Sequence, residues 1–410
     1  MTDAPETIAA GRRVDSGVLT IVGRAGHLVS LVFLVLVAFC LIAPLVQTLY
    51  PIFGTIVAPV EERRAASPPP SPRLLMRANG DFAAGLNAWF DDRVGLRDLF
   101  IRAKNQIDYS IFRTSRKVYV GSDGWLFDPA GGALELARLD AAQLGVLEGR
   151  FVALARSLRE RGVRLVVVGY PDKARIYPEM LPWAPVIPAD GNEDRLRQFL
   201  AGQPSLIFVD AQEILEREKT RTTEPLFNKT DLHVNQVGQL PIVKEIIARI
   251  ADAEARPEIR WDEKFELVHG ETTGGSEARF LSLLFPRKAE TSYYKEYYSI
   301  GRSEPDGAWT LAEPDIAERT GYTMNHPFDW AFQSLPEFCA QRLPGMVLFG
   351  NSFSDAYWAL GLHRYFCFIR RAREPISRFK WFVDTMPTGT KYFIFQYYAP
   401  LLMEMVPPVD

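Results

Sequence analysis

Three hydrophobic patterns succeed one another along this chain, and each predicts a different element. The first is unbroken: no charged residue occurs from Leu28 to Val60, and Leu28–Tyr50 is almost wholly apolar. A helix rises about 1.5 Å per residue, so some 20 such residues cross a hydrocarbon core. The pattern predicts a spanning helix over residues 28–50. A cleaved signal peptide would carry a shorter apolar stretch after a shorter lead, so an uncleaved anchor is the preferred reading. The second pattern is helical: Phe82, Leu86 and Phe90, then Leu96, Leu99 and Phe100 after a break, and further on Leu147, Phe151, Leu154 and Leu158. The third consists of short β-branched and aromatic runs, at Arg164–Gly169, Leu206–Asp210, Met346–Gly350, Tyr365–Ile369 and Tyr392–Phe395. Helices are predicted around Asn192–Leu200 and over Gln236–Ile250, and Lys117–Phe127 reads as two short strands joined by a Ser-Asp-Gly turn.

Strands fully apolar and separated by helices imply an α/β fold, with a mostly parallel sheet covered on both faces. The chain then divides into a tail (1–27), the span (28–50), a Pro-rich linker (51–78) containing AASPPPSPR, and a soluble domain (79–410). Residues 253–344 break the alternation and read as an insertion of loops and short strands. Its aromatic cluster Ser292–Tyr298 suits either stacking on sugar rings or packing against the core. Arginines lie on both sides of the span, at 12, 13 and 24 and at 63, 64, 73 and 77, so charge bias does not orient it. A short tail before one span and a large domain fits a domain on the far side of the membrane.

Composition adds exclusions. The 410 residues are 47% hydrophobic and 24% charged with a net charge of −3, which gives a chain able to bury a large core but no basic footprint for nucleic acid. Three cysteines are too few for a disulfide scaffold. Cys339 and Cys367 flank the Met346–Gly350 strand; an oxidising compartment would allow them to pair, but two separate buried thiols are expected. The five histidines are scattered and no His-Glu-x-x-His occurs, so no metal site is expected.

The chemistry gathers at two places. In Gly345–Ser354 (GMVLFGNSFS) an apolar strand stops at Gly350 and a helical segment is predicted to follow. Such a turn exposes the Ser352 hydroxyl at the carboxyl edge of the sheet, facing the free N–H groups of the next helix. Serine needs a base, and the base an orienting group. Asp231-Leu232-His233 supplies both, provided the segment is a loop, because positions i and i+2 of a helix do not face each other. Asp231 would then hold Nδ1–H of His233 and leave Nε2 for Ser352. Each motif also has a plainer explanation: a small residue in a tight turn, and an aspartate cap beside a solvated histidine.

The order Asp-x-His, then Gly-x-Ser-x-Ser, resembles the permuted SGNH-hydrolase-like domain of periplasmic alginate O-acetyltransferases. FDDRVGLRDLF (90–100), VGSDGWLF (120–127), YPDKARIYPEMLP (170–182), TDLHVNQVG (230–238) and FGNSFSD (349–355) carry the resemblance. It implies acetyl transfer to hydroxyls of an exported polysaccharide, with no cofactor, by a protein held in the bacterial inner membrane with its catalytic domain in the periplasm. A membrane-bound O-acyltransferase would supply the acetyl group. Ser352 falls on the family's nucleophile, His233 on its base and Asp231 on the residue orienting that base. Lys173 falls on the lysine of its Pro-x-Lys loop, and Asn351, Arg370, Arg371 and Lys173 are candidates for oxyanion or substrate binding, a structural role being the alternative for Lys173. Asn351 stands where the family often has Asp, and Val234 where it often has Trp; the latter suggests a different acceptor pocket. The same triad would serve an esterase or deacetylase, and a non-catalytic polysaccharide-binding export component is the other alternative.

Overall fold

The computed structural model describes residues 16–50, 67–73, 81–128, 141–181, 191–272, 274–286, 289–295, 309–311, 330–373, 376–402 and 406. They fall into two compact units, Met1–Lys104 and Asn105–Asp410. In the first, α1 (Ser16–Leu49) contains the span expected at 28–50: His27–Leu49 is long and apolar enough to cross a membrane. The helix begins 12 residues before the apolar stretch (28 − 16), so part of the expected tail is helical. The interrupted periodicity beyond it becomes α2 (Asp81–Asp91) and α3 (Arg97–Ile107). Most of the linker, residues 51–66 and 74–78, lies outside the described residues.

In the second unit, β1 (Tyr119–Val120) and β2 (Leu126–Phe127) form the expected hairpin around Ser122–Gly124. Asp123, at φ 50°, and Gly124, at φ 80°, take the left-handed backbone that its tight turn needs. Helix α4 (Ala141–Glu160) leads to β3 (Arg164–Tyr170), α5 (Asn192–Ala201) to β4 (Leu206–Asp210), and then α6 (Ala211–Lys219) to α7 (Gln236–Ala253). After the insertion's β5 (Glu266–Thr272), α8 (Ser276–Leu281), β6 (Ala289–Lys295) and β7 (Trp309–Leu311) come β8 (Trp330–Ser334), β9 (Gly345–Gly350), β10 (Phe368–Arg373), α9 (Phe379–Asp384) and β11 (Thr390–Tyr398).

Seven strands make the main sheet, in the order β4-β3-β11-β9-β10-β8-β7. The five from β4 to β10 are parallel, and β8 and β7 add an antiparallel edge drawn from the insertion. The fold is thus the mostly parallel α/β sheet that the pattern predicts. The period of two sorts the five parallel strands between two cores. Leu165, Val167, Val347 and Phe395 pack with Phe151 and Leu154 of α4, whereas Val166, Val168, Leu348 and Ile394 pack with Ile242, Ile246 and Ile250 of α7. Strands β3 and β4 advance to one side and β9 and β10 to the other, with β11 filling the space between. Carboxyl ends at such a reversal form a crevice, and β3, β9 and β11 all end there.

Three local expectations change. The strand expected at Tyr365–Ile369 begins only at Phe368, because Leu362–Tyr365 closes a 3-10 turn first. The segment after Gly350 is a 3-10 helix, Ser352–Tyr357, rather than an α-helix. Cys339 and Cys367 are not separate thiols: they form a disulfide with a Cα–Cα distance of 4.7 Å. The parallel bridge Leu343↔Phe366 sets the chain on either side in register and brings the two sulfurs together. Replacing both cysteines by serine opens a loop with a sequence separation of 28, and should cost about 2–4 kcal/mol of stability. Urea unfolding of the two proteins under oxidising conditions measures it. Of the aromatic cluster, Ser292–Lys295 lies on β6, paired with β5, and residues 296–298 lie outside the described residues.

Candidate active site

Ser352 stands where β9 ends, and the turn that presents it is held from three sides. Asn351 caps it, accepting from Phe353 N at 3.0 Å, while its own amide donates to Gln396 Oε1 of β11 at 2.9 Å. Gly350 is required because a Cβ there would run into that Gln396 side chain. Arg371 fixes the turn from below: its Nη2 donates to Asn351 O at 2.9 Å and Ser354 Oγ at 3.0 Å, and the guanidinium pairs with Asp355.

Arg370 and Arg371 were both candidates for binding the oxyanion or substrate, and the pleat separates them. Successive residues of β10 face opposite sides of the sheet. Arg370 therefore points to the α9 side, bonded to Thr385 and lying over Phe382 at 4.6 Å from the ring centroid, away from Ser352. Arg371 reaches the turn, but at 1% exposure it supports the loop's carbonyl and hydroxyl. Asn351, 3% exposed, is likewise turned into its own turn.

The second segment, Asn228–Asn235, is a loop, as the chemistry requires. Asn228 N donates to His233 O at 3.2 Å and Asn235 N to Leu226 O at 2.9 Å, closing a tight excursion before α7. Asn235, rather than Asp231, caps α7, accepting from Gly238 N at 3.0 Å. The glycine at 238 lets the helix approach Leu226 O and the Val234 side chain. Val234 is 2% exposed and belongs to the core on the α7 side.

Freed from helical geometry, Asp231 and His233 turn toward each other. Asp231 Oδ1 accepts from His233 N at 2.9 Å and from His233 Nδ1 at short range. On the other edge of the ring, His233 Nε2 lies 2.6 Å from Ser352 Oγ, across 119 residues of sequence. Phe353 packs on the imidazole at 4.9 Å between centroids and stacks on Tyr398 at 4.6 Å, which fixes the ring's plane. Burial pushes the Asp231 carboxyl up, but the His233 side chain and the amides of His233 and Ser276 outweigh it and hold it well below the usual carboxylate range. Asp231 is ionised at neutral pH and Nδ1 carries the proton, leaving Nε2 able to accept from Ser352.

Lys173 sits behind this loop rather than in it. Asp172, two residues beyond β3, caps the turn by accepting from Ala174 N at 2.7 Å, and Tyr398 OH donates to its other oxygen at 3.0 Å. Burial pushes its carboxyl up to about 6. That turn delivers Lys173 Nζ to three backbone carbonyls, Asn228 at 3.1 Å, Lys229 at 3.3 Å and Asp231 at 2.8 Å. Desolvation draws the ammonium down to about 8. The Tyr170-Pro-Asp-Lys turn thus serves the shape of the Asp-x-His loop.

Sequence reasoning missed the segment that covers Asp231. Ser276 N, in the insertion, donates to Asp231 Oδ2 at 2.8 Å, and Gly275 N faces Thr230 Oγ1 at 3.4 Å. The only signal was Gly274-Gly275, which the helical and strand patterns leave unexplained. A Cβ at Gly275 would overlap the Asp231 side chain. Gly275→Ala is therefore expected to displace the carboxylate and lower kcat on an acetyl ester by roughly a hundredfold, the usual scale for a shift of about 1 Å. Steady-state kinetics beside a circular-dichroism check of folding tests it.

Residues 118–280 match the family described as SGNH hydrolase-like domain, acetyltransferase AlgX. The chain resembles the SGNH-hydrolase-like acetyltransferases. The matched part contains Asp231, His233 and the Gly275–Ser276 segment, and ends before β9 and Ser352. The chain is 28% identical over 181 residues to the probable alginate O-acetylase AlgJ of Pseudomonas aeruginosa, covering 42% of this chain and 44% of that protein. The corresponding Pseudomonas putida protein is 28% identical over 168 residues, covering 39% and 41%. The similarity thus spans less than half the length of these curated relatives. The solved O-acetyltransferase domain of Pseudomonas putida AlgJ is 19% identical, covers 70% of this chain and 92% of that one, and has a TM-score of 0.43. The three groups singled out by sequence meet at the carboxyl edge of the sheet. Among the described residues no cluster of metal-ligating side chains accompanies them.

Proposed function

We propose that the protein is a membrane-anchored O-acetyltransferase that moves acetyl groups onto hydroxyls of an exported polysaccharide through an acetyl–Ser352 intermediate. The observation that carries the reading is the hydrogen-bonded series Ser352 Oγ, His233 Nε2, His233 Nδ1 and Asp231 Oδ1. Ser352 Oγ attacks the acetyl carbonyl as its proton passes to His233 Nε2. The leaving oxygen takes that proton, and the acetyl group stays on Ser352. A sugar hydroxyl then gives its proton to His233, attacks the acetyl carbon and releases Ser352, which recovers the proton. The Ser352 amide, at the start of the 3-10 turn, is the donor best placed for the oxyanion; losing one such donor typically costs about 3–4 kcal/mol of barrier.

The substrate class rests on the curated relatives, which are named for alginate O-acetylation. Helix α1 supports anchoring by a single pass, and the Cys339–Cys367 disulfide fits a domain facing an oxidising compartment such as the periplasm. A membrane-bound O-acyltransferase is the proposed source of acetyl groups. The detergent-solubilised protein, given an acetyl ester and an oligosaccharide, should yield acetylated sugar. Acetate alone, with no acetylated sugar, would make it an esterase. Unchanged polymer acetylation in cells carrying Ser352→Ala would leave only a non-catalytic role.

A further inference from the structure

Behind the Asp231–His233 pair lies a buried carboxylate that the mechanism above does not use. Glu277 has no exposed surface, in a chain position where a leucine or glutamine would fill the same volume without the cost of desolvating an acid. Its Oε2 accepts from Ser276 Oγ at 2.9 Å. The same serine presents its amide to Asp231 Oδ2 at 2.8 Å, and its hydroxyl faces Leu232 N at 3.5 Å. Ala278 N donates to Thr230 O at 3.2 Å, so Ser276 and Ala278 together engage three successive residues of the Asp-x-His loop, Thr230, Asp231 and Leu232. Lys173 Nζ grips the opposite side of that loop by its carbonyls at 228, 229 and 231.

We propose that Glu277 is a positioning residue for the Asp231–His233 pair: by fixing the Ser276 rotamer it holds the Ser276 amide on Asp231 and so sets the tilt of the imidazole toward Ser352. The inference rests on the reading of Ser352, His233 and Asp231 as the reacting groups. Every link is a hydrogen bond between adjacent groups, and Glu277 touches neither the imidazole nor Ser352. Burial pushes its carboxyl up to about 7, while the Lys173 charge pulls it down and Asp231 adds to the rise. This buried acid is therefore retained against an electrostatic cost that the loop's placement offsets.

The test uses the full chain in detergent, with 4-nitrophenyl acetate as the acetyl donor and thermal unfolding measured alongside. Ser276→Ala keeps the amide but frees Glu277, and Glu277→Ala removes the anchor. Each should lower kcat about tenfold to a hundredfold while leaving KM within about twofold, as expected for misoriented rather than missing groups. Glu277→Gln keeps an oxygen for Ser276 Oγ and should recover most of the rate. The far-downfield proton resonance on His233 Nδ1 should move in both alanine variants and return in Glu277→Gln. Folded alanine variants with wild-type kcat and an unmoved resonance would overturn the proposal, and Ser276→Ala decides alone if Glu277→Ala does not fold. If Ser352→Ala is inactive while the Ser276 and Glu277 variants behave as wild type, only this inference falls. An active Ser352→Ala protein overturns the triad and this inference together.

Discussion

Ser352→Ala is expected to reduce turnover of an acetyl ester by about 10⁶-fold, a barrier increase near 8 kcal/mol, without loss of fold. Ser352 is half-buried at a turn whose geometry comes from Asn351, Arg371 and Gln396, none of which bonds to its hydroxyl. Removing one oxygen thus leaves the support intact. His233→Ala should cost nearly as much, and the double variant little more than either alone, because the two act as one unit. Mass spectrometry after brief exposure to the ester should find one acetyl group on Ser352 in the parent protein and none in either variant. An additive double variant, or an acetyl group on another residue, would show that the serine and histidine do not share one step.

The second large effect belongs to Asp231→Asn, for which a loss of about 10⁴ in kcat is expected. Both carboxylate oxygens face donors: Oδ1 takes His233 N and Nδ1, and Oδ2 takes Ser276 N. An asparagine must turn its NH₂ toward one of these. Facing the ring, it forces the tautomer with the proton on Nε2, which cannot accept from Ser352; facing Ser276, it pushes the Gly275–Glu277 segment away. The carboxyl is held below its ordinary range, so its contribution to stability is present above the unfolded value of about 4 and is lost as pH falls through the lower folded value. Urea unfolding should therefore show the parent losing stability below about pH 4 more steeply than Asp231→Asn. Equal slopes would mean that the carboxylate gains nothing from its donors in the folded state.

Much of the fold was legible because the signals are local. Periodicity placed β3, β4 and β9, as well as α7, within a few residues, since a strand between two helical layers must be apolar on both faces. The disulfide was not legible: whether Cys339 and Cys367 pair depends on a parallel bridge between Leu343 and Phe366 that no run of residues announces. The same limit applies to the arginines. Two adjacent cations look interchangeable in sequence, and only the direction of the pleat in β10 sends Arg371 to the Ser352 turn and Arg370 to the opposite core.

The site divides along the same line. Residue chemistry alone named Ser352, His233 and Asp231, because few side chains can act as nucleophile, base and orienter, and a pair at i and i+2 can cooperate only in a loop. Sequence also determined the long apolar helix and the α/β layering, both of which depend on local hydrophobicity summed over neighbouring positions. Tertiary structure alone decided that Lys173 is buried against the carbonyls of the Asp-x-His loop, that Val234 faces the core, and that the segment from Gly275 closes over Asp231 from an insertion some 40 residues downstream. Such contacts arise from strand order and the path of connections, where distant residues meet through hydrogen bonds that leave no periodic trace in the chain.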